Sequence, residues 1–74
     1  MLDTIEIIKK AANSKHVVTM TYVDRKNNQT TRDIEPYEIK DGNLYAFCYK
    51  GNSIRAFNVD NILDVIENKD KSFT

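Results

Sequence analysis

The sequence predicts a mostly β fold: one N-terminal α-helix, then a small, strongly bent antiparallel barrel of about five strands. Three observations lead there. Apolar residues at helical spacing occupy only the first dozen or so positions. Short runs of β-branched and aromatic residues in alternation follow. Turn signals separate those runs at intervals of roughly ten residues. A rolled sheet suits so short a chain because closure removes open edges, and the helix can cap one open end.

Leu2 to Asn13 reads as the helix. Leu2, Ile5, Ile8, Ala11 and Ala12 form one face, with Glu6, Lys9 and Lys10 opposite. Asp3 or Thr4 can accept the free N–H groups of the first turn. The basic residues sit late, where the helix dipole favours them, and Asn13-Ser14 ends the helix. Val17 to Val23 is the first strand, alternating Val18, Met20 and Tyr22 against Val17, Thr19 and Thr21. Asp24 to Asn28 is a polar hairpin tip. Gln29 to Glu35 returns as a polar strand carrying Arg32 and Ile34. Pro36 cannot donate to a ladder, so the chain is expected to bend or leave an edge there. Tyr37 and Ile39 flank a short extended piece before the Asp41-Gly42 turn. Leu44 to Tyr49 is the most apolar strand, and Gly51-Asn52 is a second tight turn. Ser53 to Asn58 pairs back, Asn58 to Asn61 connects, and Ile62 to Ile66 is the last strand. Strand structure is thus expected over about residues 16–67, with residues 68–74 a polar tail tethered by Phe73. No linker, repeat or low-complexity tract divides the chain.

Bulk properties narrow the function. The chain has 74 residues, 41% of them hydrophobic, enough for one modest core. That leaves no room for an α/β barrel, a dinucleotide-binding domain or a two-domain enzyme. No apolar run approaches the ~18 residues of a membrane span. Eleven Lys and Arg balance eleven Asp and Glu. Tight tracking of a nucleic-acid backbone needs a cationic excess, but a local basic pocket does not. The single cysteine, Cys48, can form no internal disulfide, and Met1 leads straight into an amphipathic segment with no signal peptide, so a reducing cytoplasm is expected.

Most residue types that carry chemistry are isolated. His16, the only histidine, has no local nucleophile or orienting acid; it reads as a strand-entry residue. Cys48 reads as a small buried thiol. The acids Asp60, Asp64 and Glu67 suggest no acid–base pair. Gly42 and Gly51 sit singly in turns, so no phosphate-cradling loop is present. No metal, cofactor or catalytic residue is therefore expected, and an enzyme is disfavoured. The aromatic and arginine set is more informative. Tyr45, Phe47 and Tyr49 alternate along one strand face, and Tyr22 and Tyr37 add to them. Arg32 and Arg55 are the arginines within expected strands. Aromatic rings with arginine on a barrel face hold nucleotides by stacking and paired N–H contacts to phosphate. The simpler alternative makes Phe47 and Tyr45 core.

Register decides which face Arg55 takes. A two-residue turn at Gly51-Asn52 pairs Phe47 with Ala56 and sets Arg55 and Phe57 on the Leu44, Ala46, Cys48 side. A three-residue loop sets them beside Tyr45 and Phe47. The sequence leaves both registers open.

In order and spacing these segments resemble a WYL domain. Arg32-Asp33-Ile34-Glu35-Pro36-Tyr37-Glu38-Ile39 matches that family's Arg, branched apolar, Pro, apolar run. Gly42-Asn43-Leu44-Tyr45-Ala46-Phe47-Cys48-Tyr49 matches the Gly followed by the naming Trp-Tyr-Leu triplet, with Leu44 for the Trp and Ala46 for the Leu. Arg55-Ala56-Phe57-Asn58-Val59-Asp60-Asn61-Ile62 matches its Arg-x-Phe and apolar-Asp-Arg-Ile, with Asn61 for the second Arg. Tyr22 and Phe73 fit the family's first-strand Tyr and closing Phe. The departure at Asn61 removes one cation and leaves Arg32 and Arg55 as the transferable ones.

The resemblance implies a Sm-like, SH3-type barrel that acts as a non-enzymatic ligand sensor. Such domains accompany bacterial transcription regulators and phage-defence systems. The implied ligand is a short single-stranded nucleic acid or a small nucleotide, and a homodimer is the implied assembly. Only one helix is readable, so no helix-turn-helix is expected, and the resemblance implies the bare sensor module, either encoded alone as a stand-alone version or excised from a longer protein. Tyr22, Arg32, Tyr45 and Arg55 are the expected ligand contacts, with Lys15, His16 and Tyr49 secondary. The competing expectation is a protein-interaction module that oligomerises or regulates a partner protein.

Overall fold

A computed structural model of the chain describes residues 3–73. Helix α1 runs Thr4–Ser14; Leu2, expected on its apolar face, lies outside the described residues. Asp3 is the N-cap, and its side chain accepts from the Glu6 N–H at 2.8 Å. That satisfies one of the donors a helix start leaves free. Lys15 ends the helix in the left-handed conformation, φ 57°, with its N–H turned back to the Ala11 and Ala12 carbonyls. Lys9 and Lys10 sit too early to reach the last turn, which carries no basic residue. The dipole argument for them therefore fails.

The strands are β1 (His16–Val23), β2 (Gln29–Lys40), β3 (Asn43–Cys48), β4 (Ser53–Asn58) and β5 (Ile62–Ser72), with a single 3-10 turn, Val59–Asn61, before the last. They form one antiparallel sheet in the order β4-β3-β2-β1-β5. The mostly β class is as expected. The barrel is curled but not closed, since β4 and β5 remain the two edges of the sheet.

Two boundaries differ from expectation. β2 continues through Pro36 instead of leaving the sheet. Its pairing shifts between Pro36, opposite Ala46, and Glu38, opposite Tyr45. Tyr37 is the extra residue, so the strand absorbs proline, which lacks a ladder donor, as a bulge. β5 extends to Ser72 through the segment expected as a tail, and the Phe73 N–H donates to the Lys15 carbonyl at 2.8 Å. The final Thr74 lies outside the described residues.

Alternation divides the sheet into two faces. Val18, Met20 and Tyr22 of β1 stand opposite Ile34, Arg32 and Thr30 of β2. Leu44, Ala46 and Cys48 of β3 continue the same face, opposite Phe57, Arg55 and Ser53 of β4. This inner face packs against Ile8 and Ala11 of α1 and, with Ile62 and Val65, forms the core. The outer face carries Glu35, Phe47, Tyr45 and Ile54. Phe47 and Tyr45 are therefore outside the core, and the smaller Leu44, Ala46 and Cys48 fill it.

Candidate functional site

The β3–β4 connection is longer than either loop considered from sequence. Cys48 pairs with Ser53, leaving Tyr49 to Asn52 as a four-residue loop. This register differs by two residues from that of a two-residue turn, so the parity is the same. Arg55 and Phe57 lie on the inner side with Ala46 and Leu44.

Arg32 lies on that face as well, because Met20 opposite it is a core residue. Its guanidinium is half-buried. One terminal nitrogen donates to Thr30 Oγ1 at 2.9 Å, and the other reaches Cys48 Sγ at 3.8 Å. The carbon Cζ sits 5.9 Å from the centre of the Phe57 ring, within cation–π range. Nε is buried with no partner. Among the described residues the one ion pair is His16 with Glu67, so neither Arg32 nor Arg55 is held by a carboxylate. Arg55 is exposed on the edge strand. The direct contacts of this half-buried guanidinium are a neutral hydroxyl, a thiol and a ring. Asp24, whose carboxyl is held below its ordinary range by the Asn28 N–H and in lesser part by the Arg32 charge, lies beyond ion-pair distance, so an anion at closer range is a partner the guanidinium can still take.

Tyr22 closes this end of the curl. Its ring meets Phe57 edge-on at 5.2 Å, and its hydroxyl accepts from the Asn58 N–H at 3.3 Å. These contacts bind β4 to β1 without a strand pairing. Tyr22, Arg32 and Arg55 thus share the inner face, whereas Tyr45 projects from the outer one, 37% exposed. Pairing parity separates Tyr45 from the arginines.

The secondary candidates also lie elsewhere. Lys15 is the exposed helix C-cap. His16 opens β1, and its Nδ1 is 2.7 Å from Glu67 Oε2. Tyr49 donates to Glu35 Oε2 at 2.6 Å on the outer side. Tyr37 donates to Glu35 Oε1 at 3.0 Å, so one carboxylate holds both phenols. The bond to Glu35, helped by desolvation, pushes the Tyr49 hydroxyl up to about 12. Desolvation first, and then the same carboxylate, raise Tyr37.

Sequence reasoning missed Thr30 as a neighbour of Arg32 and gave Cys48 no place beside it. The available signal was the i, i+2 spacing of Thr30 and Arg32, which puts both on one strand face. A cavity of about 230 Å³ lies between α1 and β2, lined by Ile8, Lys9, Ala12, Asn13, Tyr37, Glu38 and Ile39. Its Lys9 and Glu38 offset each other, so it gives an anion no net preference, and it contains neither arginine. No group of His, Cys, Asp and Glu among the described residues could hold a metal ion. No helix among them is long and apolar enough to cross a membrane.

A family model for the WYL domain matches residues 3–67. The chain belongs to the WYL domain family. Among solved structures it is similar to the proteasome accessory factor B/C (PafBC) of Arthrobacter aurescens, with a TM-score of 0.74 at 21% identity. The match covers 89% of this chain and 11% of that one, so the WYL domain described here spans about a tenth of the PafBC chain. No curated protein sequence matches it. At that identity the likeness to PafBC is one of fold. It sets the curled sheet, and the inner face on which this WYL domain carries its arginines, within a known architecture.

Proposed function

We propose that this WYL domain is a non-enzymatic sensor that binds a phosphate-bearing ligand, a short single-stranded nucleic acid or a small nucleotide, on its inner face. The observation that carries the reading is Arg32, half-buried with no carboxylate within ion-pair distance, on the same sheet face as Arg55. Arg55 and the outer nitrogens of Arg32 contact phosphate, and the Tyr22–Phe57 pair walls the site. Tyr45 faces away, so recognition rests on phosphate more than on base stacking. Charge-assisted bonds contribute about 1.5–3 kcal/mol each. After association costs, two of them support roughly micromolar binding by a single copy. A homodimer that presents the arginines of both copies to one ligand would bind more tightly. In the cell such a sensor serves a transcription regulator or a phage-defence system in the cytoplasm.

Titration of labelled oligonucleotides and nucleotides against wild type and Arg55→Ala tests the reading. The variant should bind at least about tenfold more weakly, and wild-type affinity should fall with salt. Equal, salt-insensitive binding by both removes the proposal. A second reading, a protein-interaction module, is favoured by the outer face, where Ile54 is 64% and Tyr49 45% exposed. A stable hetero-complex that forms without nucleotide and is lost in Ile54→Lys would support it.

A further inference from the structure

The free edge at β4 is unlike the free edge at β5. β5 carries Asp64, Glu67, Lys69, Asp70 and Lys71 along its length, charges of the kind that keep an edge from pairing. β4 has the sequence SIRAFN, with one charge, and its one extensive neighbour is β3.

The hydrogen-bonding pattern shows which groups that edge offers. The Val59 N–H donates to the Gly42 carbonyl at 3.0 Å, continuing the β3–β4 register beyond Asn43 and Asn58. Bonded and non-bonded pairs alternate in an antiparallel ladder. Phe57, Arg55 and Ser53 therefore turn their backbone groups toward β3, while Ile54, Ala56 and Asn58 turn theirs outward. The Asn58 N–H fits this alternation, for it goes to Tyr22 Oη. Among the described residues nothing pairs with the outward donors and acceptors of Ile54 and Ala56.

This edge is complementary to itself. An antiparallel copy can bond only through outward-facing residues, which forces even positions to meet even ones. Placing Ile54 opposite the Ala56 of a second copy, and the reverse, pairs both open N–H groups and both open carbonyls on each chain. It also covers the exposed Ile54 with an alanine on the outer side. Arg55 then meets its own symmetry mate across the two-fold axis as a non-bonded pair, about 4.5 Å apart at Cα. Like charges directly opposite one another oppose pairing.

We infer that two copies of this chain pair antiparallel through β4, Ile54 against Ala56, and that a phosphate-bearing anion held between the two Arg55 side chains licenses the pairing. The anion half of this inference rests on the function proposed above; the edge pairing does not. Ligand binding and dimerisation are then one coupled equilibrium, and each strengthens the other.

Sedimentation velocity of the full chain, with and without pyrophosphate, tests this beside calorimetric binding of the same probe. Wild type should be monomeric alone and should dimerise with pyrophosphate, its dimer constant tightening about tenfold or more. Arg55→Gln should dimerise with or without the probe. Ala56→Pro removes an N–H that the β3 ladder does not use, so it should keep its circular dichroism and stay monomeric. Ile54→Lys, at an exposed position, should do the same. Wild type that binds pyrophosphate yet stays monomeric overturns the inference and leaves the site reading intact. Wild type that binds no pyrophosphate overturns the site reading; Arg55→Gln then decides the edge, with a dimer supporting pairing and a monomer overturning it.

Discussion

Replacing Arg32 by methionine removes a guanidinium that the fold holds with no carboxylate at ion-pair distance. Three local terms set the outcome. The buried, unpartnered Nε costs about 1–3 kcal/mol as it stands. Against it stand the 2.9 Å bond to Thr30, worth about 1 kcal/mol net, and the contact over the Phe57 ring, about 0.5–1 kcal/mol. Partial exposure screens the remaining charge, so its desolvation adds little. Methionine fills the channel left by the arginine stem and keeps the contact with Phe57. The variant should therefore be as stable as wild type, or more stable by up to about 2 kcal/mol. In a domain of this size each kcal/mol moves Tm by about 4–8 °C. Urea unfolding followed by circular dichroism reads the change, and pyrophosphate titration of the same sample should show binding weakened at least about tenfold. A loss of about 3 kcal/mol or more, the size expected when a paired buried charge is broken, would refute the reasoning. Arg32 would then be a structural residue with a partner that the present geometry does not contain.

Three further substitutions separate scaffold from site. Phe57→Ala empties a core position that also carries Tyr22 and Arg32; it should cost about 3–5 kcal/mol in urea unfolding, a large share of what so short a domain has. Lys15→Gly relieves a left-handed C-cap and should stabilise by about 0.5–1 kcal/mol, leaving pyrophosphate affinity unchanged. Tyr49 titrates at about 12 when folded against 10.0 ordinarily. The folded state therefore keeps its proton longer than the unfolded one, and the stability this adds is present below pH ~10 and lost as pH rises toward about 12. Tyrosinate absorbance should show a late-titrating phenol that disappears in Tyr49→Phe.

The periodic elements were legible in the sequence. Helical spacing from Ile5 to Ala12 and the Val17 to Val23 alternation gave α1 and β1, and Asp41-Gly42 marked the β2–β3 turn. Elements without apolar periodicity were not legible. The end of β5 is Asn-Lys-Asp-Lys-Ser, an edge strand whose backbone pairing with β1 has no hydrophobic signature. Pro36 looked like a stop because one missing donor signals an interruption, and a bulge that absorbs it leaves no local mark. For the site, strand identity was readable but loop length was not. The four-residue Tyr49 to Asn52 loop keeps Arg55 on the Arg32 face while setting Tyr45 on the other. A single-residue difference would have reversed that pairing of roles. The outward hydrogen-bonding groups of Ile54 and Ala56 depend on the same register and were equally hidden.

The shared anion seat is tested most directly by following the arginine guanidinium resonances in NMR during a pyrophosphate titration. Arg32 and Arg55 should shift together along one binding curve while Arg25, exposed in the β1–β2 hairpin loop, stays still. Shifts confined to Arg25 and the lysines, or separate curves for Arg32 and Arg55, would contradict the account.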